Sequence, residues 1–150
     1  FGLQGVVAVT PAAGFHDPRM DFVPTMSKAN TVIGALTGTE GLMPFRPNDS
    51  ENPNINYASI PIHSLAEVAG VAERVHRIAP RIGVPLRMIQ STRDPVVDPS
   101  AARRLADAMP SELVEFRTVE SDLHGIVYSN VGETWSLIQS FVERHLTAAQ

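Results

Sequence analysis

The chain has 150 residues and a mass of 16.2 kDa, with 43% apolar and 19% charged residues, a composition that fits one globular domain burying roughly 70% of its unfolded surface and excludes a disordered chain. Its net charge is −4 and Lys28 is its only lysine, so it carries no basic stripe for nucleic acid, and no apolar run approaches the ~20 residues of a bilayer span. The absence of cysteine excludes disulfides, thiolate zinc sites and a cysteine nucleophile, and it is compatible with a reducing cytoplasm, the location expected.

Residues 3–10, LQGVVAVT, are rich in valine and stop at Pro11, which predicts a strand buried on both faces, as in a parallel sheet. The chain thus opens inside a strand, with neither Met nor a polar lead-in, and an upstream segment is expected. From residue 11 to about 61, Pro, Gly and Asn recur with only short helical stretches such as 24–36. This predicts an insertion or lid. At Ser64 regular order resumes: Ser64 and Glu67 have capping-box spacing, and Leu65, Val68, Ala72, Val75 and Ala79 form one apolar stripe, so a helix is predicted to about residue 79.

After Pro80 and Gly83, VPLRMIQ (84–90) reads as a strand. Asp98 then suits an N-cap and Pro99 the first helical position, with Ala102, Leu105, Ala106 and Met109 facing inward. Pro110 and Ser111 break that helix, LVEFRTV (113–119) is the next strand, and ESDLHGIVYSN follows as a loop. Asn130 and Glu133 resemble a second capping box, opening a helix that buries Trp135, Ile138, Phe141 and Val142. The alternation predicts an α/β fold with parallel strands joined by right-handed crossovers. The chain has no internal repeat.

In such a fold the loops after neighbouring parallel strands leave the same rim, where open α/β sheets keep their ligands. Asp94 lies four residues past Gln90 and His124 five past Val119, so the crossover brings them together. A carboxylate beside an imidazole fixes its tautomer and stabilises the imidazolium formed when the other ring nitrogen takes a proton from a nucleophile. That is two thirds of a hydrolytic triad. Asp98 is the runner-up acid, although its place suits a cap.

Other polar residues carry less. His76 and His145 fall on predicted helices and His63 precedes a cap, all structural or solvated positions; His16 beside Asp17 lacks the further ligands a metal needs. Gly34, Gly38 and Gly41 lack the strand-to-helix setting of a phosphate loop. Phe15, Met20, Phe22, Val23, Met26, Leu42, Met43 and Phe45 either line an acyl-chain pocket under the lid or form the lid's own small core.

The run VPLRMIQSTRDPVVDPSAARRLADAM, followed by a strand and ESDLHGIV, resembles the C-terminal half of an α/β-hydrolase, closest to the bacterial carboxylesterase and monoacylglycerol lipase group. GVVAVTPAAGF is similar to the strand before the cap in these enzymes, and YASIPIHSLAEV to the helix leading back from cap to sheet. The resemblance implies a partial α/β-hydrolase domain: a sheet strand at 1–10, an inserted helical cap at 11–63, and a C-terminal core at 64–150 carrying acid and histidine. It implies Asp94 as triad acid, His124 as triad histidine, and no metal or organic cofactor; on the pocket reading of the apolar residues, Phe15, Met20, Phe22, Met26 and Met43 are the candidate substrate-binding residues.

Two details depart from the family pattern: Ser91 and Thr92 stand where a Gly often precedes the acid, and two residues separate Ser121 from His124. The family's G-x-S-x-G nucleophile motif does not occur in these residues. The serine and the oxyanion amides are therefore expected upstream of residue 1, and this stretch alone is expected to be inactive. The apolar edge of the first strand is expected to pair with an N-terminal half or a second copy. The implied reaction is hydrolysis of a small-molecule carboxylic ester. A non-catalytic scaffold or binding fragment, or hydrolysis of another bond, are the alternatives.

Overall fold

The computed structural model describes residues 2–48 and 56–147; Phe1 of the expected first strand, residues 49–55 of the expected insertion and residues 148–150 lie outside these. In chain order the elements are β1 (Val6–Val9), α1 (Val23–Thr37), β2 (Phe45–Pro47), β3 (Ser59–Pro61), α2 (Ile62–Ile78), β4 (Leu86–Ser91), α3 (Pro99–Asp107), β5 (Val114–Val119) and α4 (Thr134–Thr147). The chain forms two compact units, one of Phe1–His16 and Arg74–Gln150, the other of Asp17–Glu73.

The first unit is built on a parallel sheet in the order β1-β4-β5. Val6 pairs with Leu86 and Val9 with Ile89, while Leu86 pairs with Val114 and Ser91 with Val119. All six residues of β4 are buried, as a central strand covered on both faces requires. The period of two sends Leu86 and Met88 to a core shared with Ala79, Ala102, Leu105, Ala106 and Met109, and Ile89 to an opposite core with Val119 and Ile126.

Arg87 also faces that second side. Its guanidinium bonds Glu115 of β5 at 2.5 Å, the Leu137 carbonyl and the Ser140 hydroxyl of α4, and it stacks over the Phe141 ring at 5.3 Å. Arg144 takes the other Glu115 oxygen at 2.7 Å. A buried cation is stable here because a carboxylate and helix acceptors surround it.

The α3 reading holds in detail: the Asp98 carboxylate accepts the Ser100 N–H at 2.8 Å, Pro99 opens the helix, and the inward-facing residues are buried. Elsewhere the structure corrects the expected boundaries. The first strand is only Val6–Val9 and is half-buried, because among the described residues nothing pairs with its outer edge. Ser64 is not an N-cap: α2 starts at Ile62, whose N–H is taken by the Pro44 carbonyl at 2.8 Å.

Asn130 and Glu133 do not form a capping box either, since both sit at positive φ, 48° and 57°. Instead the Asn130 side chain reaches forward to accept the Trp135 N–H at 2.8 Å. Between them Gly132 (φ 57°) passes so close to the sheet that a Cβ there would lie 2.6 Å from Val119 Cγ1. On α4 Phe141 is buried and Ile138 half-buried, but Trp135 and Val142 are exposed, at 54% and 39%.

In the second unit α1 covers the expected helical stretch and ends at Gly38 (φ 72°), whose N–H returns to the Gly34 carbonyl. Antiparallel β2 and β3 were not foreseen, being three residues each and containing Pro47 and Pro61. Asp17 binds Arg19 and Arg46 at 2.7 and 2.5 Å, and the Asn30 amide ties residues 42 and 43 to α1.

Candidate active site

Because Ser91 and Val119 are register partners at the ends of parallel strands, the loops that follow leave the same rim. Their pairing continues past the strands: the Thr92 N–H donates to the Val119 carbonyl at 2.9 Å, and the Ser121 carbonyl accepts the Arg93 N–H at 2.9 Å and the Ser91 hydroxyl at 2.7 Å. The Ser121 hydroxyl in turn accepts the Leu123 N–H at 3.0 Å, shaping the approach to His124.

Within this clasp, His124 Nδ1 and Asp94 Oδ2 are 2.8 Å apart. The carboxylate only accepts, so Nδ1 carries the proton, and Nε2 is the ring nitrogen suited to proton transfer. The Asp94 side chain is wholly buried and that of His124 36% exposed. Asp94 Oδ1 accepts the Val96 and Val97 N–H groups at 2.8 and 2.9 Å, and the Gln90 amide donates to Oδ2 at 3.3 Å. Burial pushes the Asp94 pKa up, but the hydrogen bonds from His124 and the Val97 and Val96 amides outweigh it and hold the carboxyl below its usual value. The site thus keeps an ionised acid beside an imidazole that it orients.

His124 borders a cleft of 580 Å³ with Thr10, Ile126, Tyr128 and Trp135. The structure therefore brings Asp94 and His124 together, while Asp98 is engaged as the α3 cap and bonded to Arg104 at 3.2 Å. His76 bonds the Ala13 carbonyl at 2.8 Å, His145 packs on Phe141, and His63 meets the Ser27 hydroxyl at 3.4 Å. Phe15 belongs to the first unit, in a β-bridge with Val97. In the second unit Met20 is buried, and Phe22, Met26 and Met43 line a 470 Å³ cleft with Val23, Phe45 and Ile62, rimmed by Arg19 and Arg46. Leu42 is exposed.

Gln90, a direct partner of Asp94, escaped the sequence reading. The available signal was a polar residue, like Arg87 before it, in a strand run whose other residues are apolar, since a buried polar side chain is the informative exception. Its Oε1 is buried with no partner among the described residues.

No helix among the described residues is long and apolar enough to cross a membrane. No curated protein matches the chain significantly. Among solved structures it is similar to a metagenome-derived lipolytic enzyme of the LipS and LipT pair (TM-score 0.71, 16% identity, covering 95% of this chain and 56% of that one). It is similar also to the Paleococcus ferrophilus monoacylglycerol lipase (0.58, 25%, 83% and 51%). A soluble variant of the Saccharomyces cerevisiae monoglyceride lipase, solved with a substrate analogue, matches at 0.66 and 12% identity, covering 95% and 54%. The chain spans about half the length of these relatives, and their likeness places its fold in the α/β-hydrolase class. A family model described as serine aminopeptidase S33 matches residues 45–130, more than half the chain. The chain thus belongs to the serine aminopeptidase S33 family of α/β-hydrolases.

Proposed function

We propose that this chain supplies the acid and the histidine of a Ser-His-Asp triad that hydrolyses carboxylic esters. The observation that carries this reading is the 2.8 Å bond from His124 Nδ1 to a wholly buried Asp94 carboxylate. With that proton fixed, Nε2 acts as general base, taking the proton of a serine hydroxyl as its oxygen attacks the ester carbonyl. The resulting imidazolium, stabilised by Asp94, then protonates the departing alkoxide, and water repeats the cycle on the acyl-enzyme. The serine and its oxyanion-hole amides come from a segment upstream of residue 1, and that N-terminal half, or a second copy, completes the sheet along the open edge of β1.

The cap is read at residues 11–63, and the cleft at Phe22, Met26 and Met43 within the second unit has an apolar lining suited to an acyl chain. The lipolytic and monoglyceride-cleaving relatives support an ester as the substrate class. The family description favours a second reading, an amide or peptide bond cleaved by the same groups.

The test joins this chain to its N-terminal half and compares short-chain p-nitrophenyl esters with aminoacyl p-nitroanilides, using His124→Ala as control. Ester turnover abolished by His124→Ala is the expected result. Equal rates for both proteins would remove His124 from the chemistry, turnover of the anilide alone would favour the amide reading, and no turnover of either would leave a non-catalytic scaffold.

A further inference from the structure

We propose that Thr10, at the end of β1, is a positioning residue that holds the His124 loop in its working orientation; this rests on His124 being the catalytic base. Thr10 adopts φ 42°. It is β-branched and precedes Pro11, and each feature disfavours that backbone region, so two steric penalties coincide at one residue. Such strain persists only where surrounding contacts over-determine it, and it gathers at functional sites.

The contacts at Thr10 are specific. Its N–H continues the ladder to the Ile89 carbonyl at 2.8 Å, and its hydroxyl crosses 114 positions of sequence to donate to the His124 carbonyl at 3.2 Å. That carbonyl also accepts the Ile126 N–H at 3.0 Å. Asp94 fixes one ring nitrogen of His124, while Thr10 and Ile126 fix the peptide from which the ring departs. The ring nitrogen and the backbone carbonyl of His124 are thus each held by a named partner. Thr10 and His124 also line the same cleft, so the bond lies beside the place where a nucleophile must approach.

Three variants separate this role from plain stability. Thr10→Ser keeps the hydroxyl, Thr10→Val keeps the shape without it, and Thr10→Gly releases the strain and loses the bond. In each, the downfield proton resonance on His124 Nδ1 is recorded without substrate, with Tm and the kcat and KM of the completed hydrolase on a p-nitrophenyl ester. Thr10→Ser is expected to match wild type. Thr10→Val is expected to broaden or lose the resonance and to lower kcat about tenfold at unchanged KM, the scale of a small misplacement of a catalytic group. Thr10→Gly is expected to lose the resonance yet raise Tm, a divergence that a merely structural residue would not give. An unchanged resonance and kcat in Thr10→Val would overturn the proposal, as would a fall in Tm for Thr10→Gly. Since the resonance needs no turnover, a protein inactive on esters that still shows the expected resonance pattern sinks the ester reading and leaves this one standing.

Discussion

Glu115→Gln is expected to destabilise the fold more than Arg87→Met, although the two residues form one ion pair, because their surroundings differ. Without the Glu115 charge, Arg87, only 3% exposed, remains a buried cation facing the Leu137 carbonyl and the Ser140 hydroxyl. Leaving a buried charge without its counter-ion costs about 3–5 kcal/mol. Without Arg87, the Glu115 side chain is 29% exposed and keeps Arg144 at 2.7 Å and Arg117 at 3.7 Å, while Met fills most of the vacated stem volume. That change removes charge-assisted bonds but strands no charge, so about 1–2 kcal/mol is expected. The gap of about 2 kcal/mol would separate the melting temperatures by about 4–8 °C for a chain of this size. Urea unfolding of both variants at pH 7 reads it directly. An Arg87→Met loss equal to or larger than that of Glu115→Gln would refute the reasoning, since it would mean that the guanidinium, not the carboxylate, is the hub of the cluster.

Asp98→Ala removes the α3 cap and should cost about 1 kcal/mol in urea unfolding while leaving ester hydrolysis unchanged; a lost rate instead would make Asp98 the acid. Gly132→Ala forces a Cβ to 2.6 Å from Val119 Cγ1 at φ 57°, so a loss of about 2 kcal/mol or more is expected in the same assay, and a neutral result would contradict that close approach. Because the Asp94 pKa lies below its unfolded value of about 3.9, its stabilising effect is complete above that value and is lost as pH falls through the folded one. The stability gap between wild type and Asp94→Asn should therefore be full at pH 7 and close below about pH 4. A gap that stayed constant to pH 2 would rule this out.

The sheet and the pairing of its two loops were legible because they rest on local signals. The apolar run 84–90, the Asp98-Pro99 start and the strand 113–119 each agree with their tertiary surroundings, and parallel connection then places Asp94 beside His124. What escaped depends on distant partners. Ser64 and Glu67 have the spacing of a capping box, but a carbonyl from Pro44 satisfies the helix start two residues earlier. Trp135 has the right period to be buried, yet its backbone serves as the Asn130 acceptor's partner and its ring stays half open. Arg87 and Gln90 interrupt a buried strand for reasons that lie on β5, on α4 and in the loop after β4. Thr10 offered no sequence signal, because its partner is 114 positions away.

The most direct measurement is the tautomer of His124, read from the nitrogen and proton shifts of its labelled imidazole near pH 8. A neutral ring protonated on Nδ1, reversing to Nε2 in Asp94→Asn while the fold is retained, is the expected result. A ring protonated on Nε2 in the wild type, or one indifferent to Asp94→Asn, would contradict the role assigned to the pair.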